Sequence, residues 1–192
     1  MSVAKITRVE KSRKDQGECG RCHTPLPKGT GYLYWLPYFR SNYKAVRCLN
    51  EKCFPPPSER ESSKVSTIMA AQEAFDASID ELDTRDDIIA AVQEVADAIE
   101  EVRGEYDDAL SSWEYGNEAL QEKVDHYESQ HSELDGWEPD AEEYPEQCDE
   151  HDELDSETEV VTNCEECKQL RQDWLEEMRG EARDKVGEVE FL

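Results

Sequence analysis

The sequence predicts a mainly α-helical protein: a small N-terminal β-hairpin zinc module, then long acidic helices forming a helical hairpin, bundle or coiled coil, then a C-terminal helix. Three observations predict it. Two cysteine pairs bracket an aromatic stretch, "ECGRCHTPLPKGTGYLYWLPYFRSNYKAVRCLNEKCFPPPSE", at residues 18–59. Apolar side chains then recur at helical spacing from Ile68 to Leu134. Charge is segregated: residues 1–64 carry 13 Lys/Arg against 6 Asp/Glu, a net +7, while residues 65–192 carry 8 against 42, a net −34. With 36% of 192 residues apolar, the core is expected to be thin or elongated. The expected organisation is a basic zinc-binding head (1–57), an acidic helical body (58–137), an acidic linker (138–163) and a C-terminal helix (164–192).

In the head, Cys19-x-x-Cys22 has the spacing at which two thiolates reach one ion. Cys48 and Cys53 form the second pair, with a wider gap, and His23 is an alternative ligand. Tyr32–Leu36 is strand-like by its aromatic content, Tyr43–Val46 can pair with it, and Arg40-Ser41-Asn42 is a plausible turn. So short a segment buries little surface, so a structural metal would supply folding energy directly. Four thiolates close the coordination shell, which suits a structural zinc rather than a catalytic one. The competing reading is four ordinary buried thiols. Six of the seven cysteines fall in close pairs, which, with no secretory segment expected, argues for ligands over disulfides.

Cys19-x-x-Cys22, then "PLPKG", then aromatic strands and a distal cysteine pair, resembles the zinc fingers of poly(ADP-ribose) polymerases. That resemblance implies zinc and DNA-break recognition. The family's third ligand is His, and Cys48 stands nearest that role here. More broadly, the order of zinc head, "PPPSERESSK", "YDDALSSWEYGNEALQEKVDHYES" and "DGWEPD" is similar to uncharacterised proteins of tailed bacterial viruses. That resemblance implies expression in a bacterial host cytoplasm and supplies no activity.

Cations and aromatics interleave in the head. Arg21, Tyr34, Trp35, Arg40, Lys44 and Arg47 are candidate nucleic-acid contacts, joined by Lys28, Lys52, Tyr38 and Tyr43. Such a set neutralises phosphates and stacks on exposed bases. The plainer reading makes the aromatics the core of a small module and the cations its solvated face.

In the body, Ser58-x-x-Glu61 reads as a capping-box start. Written as one heptad register from Ile68 to Leu134, the a and d positions are apolar except at Ser78, Arg85, Arg103, Asn117 and His131. The g positions Ile88, Val95, Val102 and Ala109 are also apolar, and e positions such as Glu100 and Asp107 are acidic. A two-stranded coil wants complementary e and g charges, so the wider stripe favours a hairpin or bundle. Tyr115-Gly116-Asn117 is the best break, and Thr84 with Asp87 can open a second helix after residue 83. Gly136-Trp137-Glu138-Pro139 ends the run. A last helix, from about Cys164 to Val186, carries its stripe on Leu170, Trp174, Leu175, Met178 and Ala182. Cys148-x-x-His151 and Cys164-x-x-Cys167 are a candidate second zinc site; the alternative is unligated thiols, with a redox pair as the third option.

No glycine-rich phosphate loop, nucleophile elbow or nucleophile–base pair stands out, so no enzyme is expected. His126 and His131 are five apart on a helix, the wrong spacing for a shared metal. The expected function is a non-enzymatic zinc-binding interaction or regulatory protein. Its head contacts nucleic acid or a partner protein, and its acidic helices dock proteins. The alternative is a nucleic-acid mimic that occupies a basic DNA-binding site of a host enzyme. No apolar run reaches the length of a membrane span, so a cytoplasmic protein is expected, with homo-oligomerisation left open.

Overall fold

The computed structural model describes residues 3–37, 44–140 and 164–192. Arg40-Ser41-Asn42, Tyr38 and Tyr43 lie outside them, as do Cys148, His151 and most of the acidic linker. The chain is mainly helical with one small sheet, and it divides into two compact units, Met1–Ala70 and Ala71–Leu192. Among the described residues, no helix is long and apolar enough to cross a membrane.

The first unit is built on a three-stranded antiparallel sheet, β1 (Thr7–Val9), β2 (Tyr32–Trp35) and β3 (Ala45–Cys48), in the order β1-β2-β3. Tyr32 pairs with Cys48 and Trp35 with Ala45; on the other side Thr7 pairs with Tyr34. The period-2 alternation of β2 divides its side chains between the two faces. Tyr32 packs with Cys19, Leu26 and Cys53, against partly buried Val9, Tyr34, Val46 and Cys48. The opposite parity, Leu33, Trp35 and Ala45, is also buried. The Trp35 indole nitrogen donates to the Glu59 carbonyl at 3.3 Å. The expected hairpin is therefore present. β1 was not anticipated, because "TRV" is too short and too polar to read as a strand.

Ser58 does not open the body. Prolines 55–57 lead into a single turn, α1 (Pro57–Arg60), in which Pro57 occupies the first position and Ser58 lies inside. Glu61 ends that turn, and its carboxylate accepts from the amides of Ser62 and Ser63. The capping-box pattern fails because three successive prolines set the helix start, leaving Glu61 to cap the loop that follows. The next helix, α2 (Ser66–Ser78), begins five residues later than Glu61.

In the second unit the register that reads as one run is interrupted twice. After α2 comes a 3₁₀ turn, Ile79–Glu81, and then α3 (Arg85–Ser111), capped by the Thr84 hydroxyl accepting from the Asp87 amide at 3.1 Å. α4 (Glu118–Leu134) is capped by Asn117 after Gly116 turns the chain at φ 74°. Both anticipated breaks are real. Three of the five polar exceptions mark them: Ser78 ends α2 by donating to the Ala74 and Phe75 carbonyls, Arg85 begins α3, and Asn117 caps α4. The heptad phase continues across the second break only on paper, since Trp113 there is 56% exposed.

α3 and α4 pack as an antiparallel hairpin. Arg85 reaches Glu138 at 3.1 Å, Gln93 reaches Asp135 at 3.3 Å, and Tyr106 stacks on Tyr127 with centroids 5.8 Å apart. Ile88, Val92, Val95, Ala96, Ile99 and Val102 are buried, so the g positions share the core with a and d. Arg103 at its a position is held by Glu100 at 2.6 and 2.5 Å, which lowers the Glu100 pKa and raises that of Arg103. α5 (Glu165–Gly187) buries Trp174, Leu175, Met178 and Ala182 and packs on α3. Its arginines grip the α2–α3 connection: Arg179 donates twice to the Leu82 carbonyl, at 2.7 and 3.2 Å, and Arg171 donates to that of Asp83 at 2.9 Å.

A one-register rod and a broken hairpin predict different mutants. Ile99→Asp places a carboxylate in a fully buried position and is expected to cost about 3–5 kcal/mol. Trp113→Ala is expected to shift stability by less than about 0.5 kcal/mol, as exposed positions do. Chemical denaturation followed by far-UV circular dichroism checks both; a large loss at Trp113 would restore the continuous helix.

Candidate metal centre

The four cysteines come from two loops at one side of the sheet. The first loop is a tight knuckle. The Cys19 amide donates to the Thr24 carbonyl at 2.9 Å, and the His23 amide donates back to the Cys19 carbonyl at 2.9 Å. Closing so short a loop requires a left-handed residue, and His23 supplies it at φ 57°. The Gly20 amide donates to the Val46 carbonyl at 3.0 Å, which ties this knuckle to β3.

The second loop leaves β3 at Cys48. The Asn50 side chain accepts from the Lys52 amide at 3.0 Å, and the Cys53 amide donates to the Asn50 carbonyl at 2.9 Å. The 3₁₀ turn Glu51–Cys53 that follows contracts the chain. This explains how a four-residue gap returns a thiol to the site. By spacing alone that gap is less typical than a two-residue one; the Asn two places after Cys48 is the signal that accounts for it.

The ligand atoms of Cys19, Cys22, Cys48 and Cys53 all lie within 4.8 Å of one another, close enough to bind a metal ion. The Cys22 and Cys48 sulfurs are 3.7 Å apart. A tetrahedron of sulfurs at 2.3 Å from one ion has an edge of about 3.8 Å. Cys19 and Cys53 are buried, Cys48 is half-buried and Cys22 faces solvent. His23 is not one of the group.

The four thiols are electrostatically unequal. Burial pushes the Cys19 thiol up, but the backbone amides of Cys22, Cys48 and Arg21 together bring it down to about 6. The Thr24 hydroxyl, 3.1 Å away, and the Thr24 backbone lower Cys22. Burial raises Cys48, and burial together with the three neighbouring thiols pushes Cys53 up to about 12. The site thus pairs two thiols whose surroundings favour the thiolate, Cys19 and Cys22, with two, Cys48 and Cys53, that a cation would help to ionise.

The candidate nucleic-acid residues fall into different places. Trp35 is 2% exposed, with the Arg47 guanidinium 5.2 Å from its ring centroid. Arg47 pairs with Glu59 at 2.6 Å. The Lys44 ammonium lies 3.9 Å from the Tyr34 ring centroid and donates to the Tyr32 hydroxyl at 2.9 Å. Arg21 is exposed, 4.0 Å from Glu59, and Arg40 lies outside the described residues. Lys44, Arg47 and Trp35 are thus engaged within the unit rather than presented together. Of the candidate second site, Cys164 precedes α5 and Cys167 is buried on it; Cys148 and His151 lie outside the described residues.

Metal binding must strip protons from the high-pKa thiols, so affinity falls as pH falls. Release is therefore expected as acid is added, at a pH set jointly by the thiols and by the strength with which the ion holds them. A zinc-sensitive dye titrated from pH 8 downwards, a range chosen from the thiolate dependence of metal affinity, reads it. An affinity that does not change across the titration would contradict the assignment. In addition, His23→Gly is expected to keep the metal and change stability by less than about 1 kcal/mol, the loss of chain entropy offsetting relief of the left-handed turn.

Compared with known proteins, the chain matches no family model, no curated protein and no solved structure, so this geometry is the ground on which its function is read.

Proposed function

We propose that this chain is a non-enzymatic interaction protein whose recognition head is held together by one structural zinc. The observation that carries the reading is the convergence of four thiols from two loops around a space of tetrahedral dimensions. An all-thiolate donor set is the pattern of structural zinc, and a shell closed by four protein ligands leaves no position for a substrate. The zinc does the work of a core. The cluster it would staple contains Cys19, Leu26, Tyr32 and Cys53 as its buried members, a small area for a unit of this length. The helical unit serves protein docking. Its hairpin tip exposes Trp113 and Tyr115, the latter 94% exposed, and aromatics of this kind anchor protein interfaces.

The test is metal content of the intact chain. Purified protein is expected to hold about one equivalent of zinc in the Cys19/Cys22/Cys48/Cys53 set, by the four-ligand rule. Cys22→Ser is expected to abolish it and to broaden the amide resonances of the sheet, while the helical circular dichroism persists. Cys167→Ser removes a second equivalent only if residues 148–167 hold one. A protein whose sheet resonances are unchanged by strong chelation would overturn the zinc reading.

A further inference from the structure

Ser12 is the one polar side chain buried among the described residues, at 5% exposure. Its hydroxyl donates to the Pro27 carbonyl at 3.1 Å and accepts from the Gly29 amide at 2.9 Å. Its own amide donates to the Thr30 carbonyl at 3.0 Å, and its carbonyl also accepts from Gly29 at 3.0 Å. Four hydrogen bonds through one residue bind the loop after β1 to the loop before β2. With Ser12 turned inward, its neighbours Lys11 and Arg13 are exposed, as are Lys14 and Lys28.

Several other cations of this unit are engaged. Arg8 pairs with Glu10, Arg21 and Arg47 with Glu59, and Arg60 donates to the carbonyls of Pro56 and Ala4. Lys11, Arg13, Lys14 and Lys28 make no ion pair among the described residues. Of the two carboxylates adjacent in sequence, Glu10 pairs with Arg8 and Asp15 accepts from the Gly17 amide at 2.7 Å. The cations of β3 and α1 are thus engaged internally, while these four lie unpaired on two loops stitched together; Lys5 and Lys52, also exposed and without an ion pair among the described residues, lie outside both loops.

We infer that the face formed by Lys11, Arg13, Lys14 and Lys28 binds the phosphate backbone of a nucleic acid without reading its bases. The inference rests on the zinc-stapled head as the recognition unit and names its partner and surface. Phosphate contacts need fixed cations and little else. Protein interfaces and amphipathic insertion into a membrane surface both draw on apolar or aromatic anchors. The large exposed hydrophobics of the described residues, among them Leu36, Leu49 and Phe54, lie outside both loops. The face also differs from the aromatic hairpin that the sequence suggested, since Trp35 there is buried.

The experiment uses the intact chain and fluorescein-labelled DNA of about 20 nucleotides, single-stranded and duplex, followed by anisotropy at about 50 and 200 mM salt. Four phosphate contacts on duplex predict a fall of roughly a hundredfold between those salts. Arg13→Gln/Lys28→Gln, one cation from each loop, is expected to weaken binding at least about tenfold and flatten the log–log salt slope by about 1.8. Lys5→Gln/Lys52→Gln, which removes equal charge from the same unit elsewhere, is expected to stay within about twofold because it removes no contact. Zinc is measured on every sample. Wild-type protein that holds zinc but binds no DNA at the lower salt overturns the inference and leaves the zinc reading standing. Equal loss in the two double variants overturns it as general charge attraction. Phosphatidylserine vesicles or inorganic phosphate that displace DNA at equal phosphate concentration overturn it in favour of a lipid headgroup or a free anion. DNA binding with the expected salt slope by protein that lacks zinc supports the face and refutes the staple.

Discussion

Four sulfurs within 4.8 Å of one another form the constraint on which the first unit depends. Apolar packing does not ask for four thiols in one place, and four thiolates cannot share it without a cation. The hydrogen bonds around the site make sense in that light. Amides of Cys22, Cys48 and Arg21 aim at Cys19, and Thr24 at Cys22, so part of the negative charge is prepaid by backbone dipoles. The sheet supplies the remaining order: the Gly20 amide on Val46 and the Tyr32–Cys48 pairing fix the two loops to adjacent strands.

The second unit is arranged differently. Its apolar stripe is continuous within helices, and its carboxylates are mostly exposed, so charge and core hardly conflict. Where they do, the solution is local. Arg103 enters the seam with Glu100 beside it, and the arginines of α5 are spent on carbonyls of the α2–α3 connection rather than on the abundant carboxylates alone. A guanidinium with several donors satisfies a helix end and an acid together, as Arg179 does with Leu82 and Asp83.

Legibility followed the range of the physics. Cysteine pairs, an aromatic strand and a helical stripe are local patterns, and β2, β3, α3, α4 and α5 were readable from them. The wide g-inclusive stripe was legible too, and Ile88, Val95 and Val102 are buried on α3. Thr84 and Asn117 were readable as caps because capping is local too. What escaped depends on partners distant in sequence. β1 exists because β2 offers it an edge, and Ser12 is buried because Pro27 and Gly29 complete its hydrogen bonds. The same holds for Trp35 and Arg47, which look like an exposed recognition pair until Glu59 is placed between strand and turn. Polar residues at a and d positions carried more than was taken from them: three of five were punctuation.

The grip of α5 on the α2–α3 connection bears on how the chain is made. Leu82 and Asp83 emerge from synthesis about a hundred residues before Gly187 completes α5, a delay of roughly 5–20 s at ordinary translation rates. For that interval the connection's carbonyls and the stripe that meets α5 have no partner. The first unit draws its contacts from residues 3–70 and can close as soon as those are available. A ribosome therefore presents the whole of the basic head well before the last helix of the acidic unit is available to close on that connection.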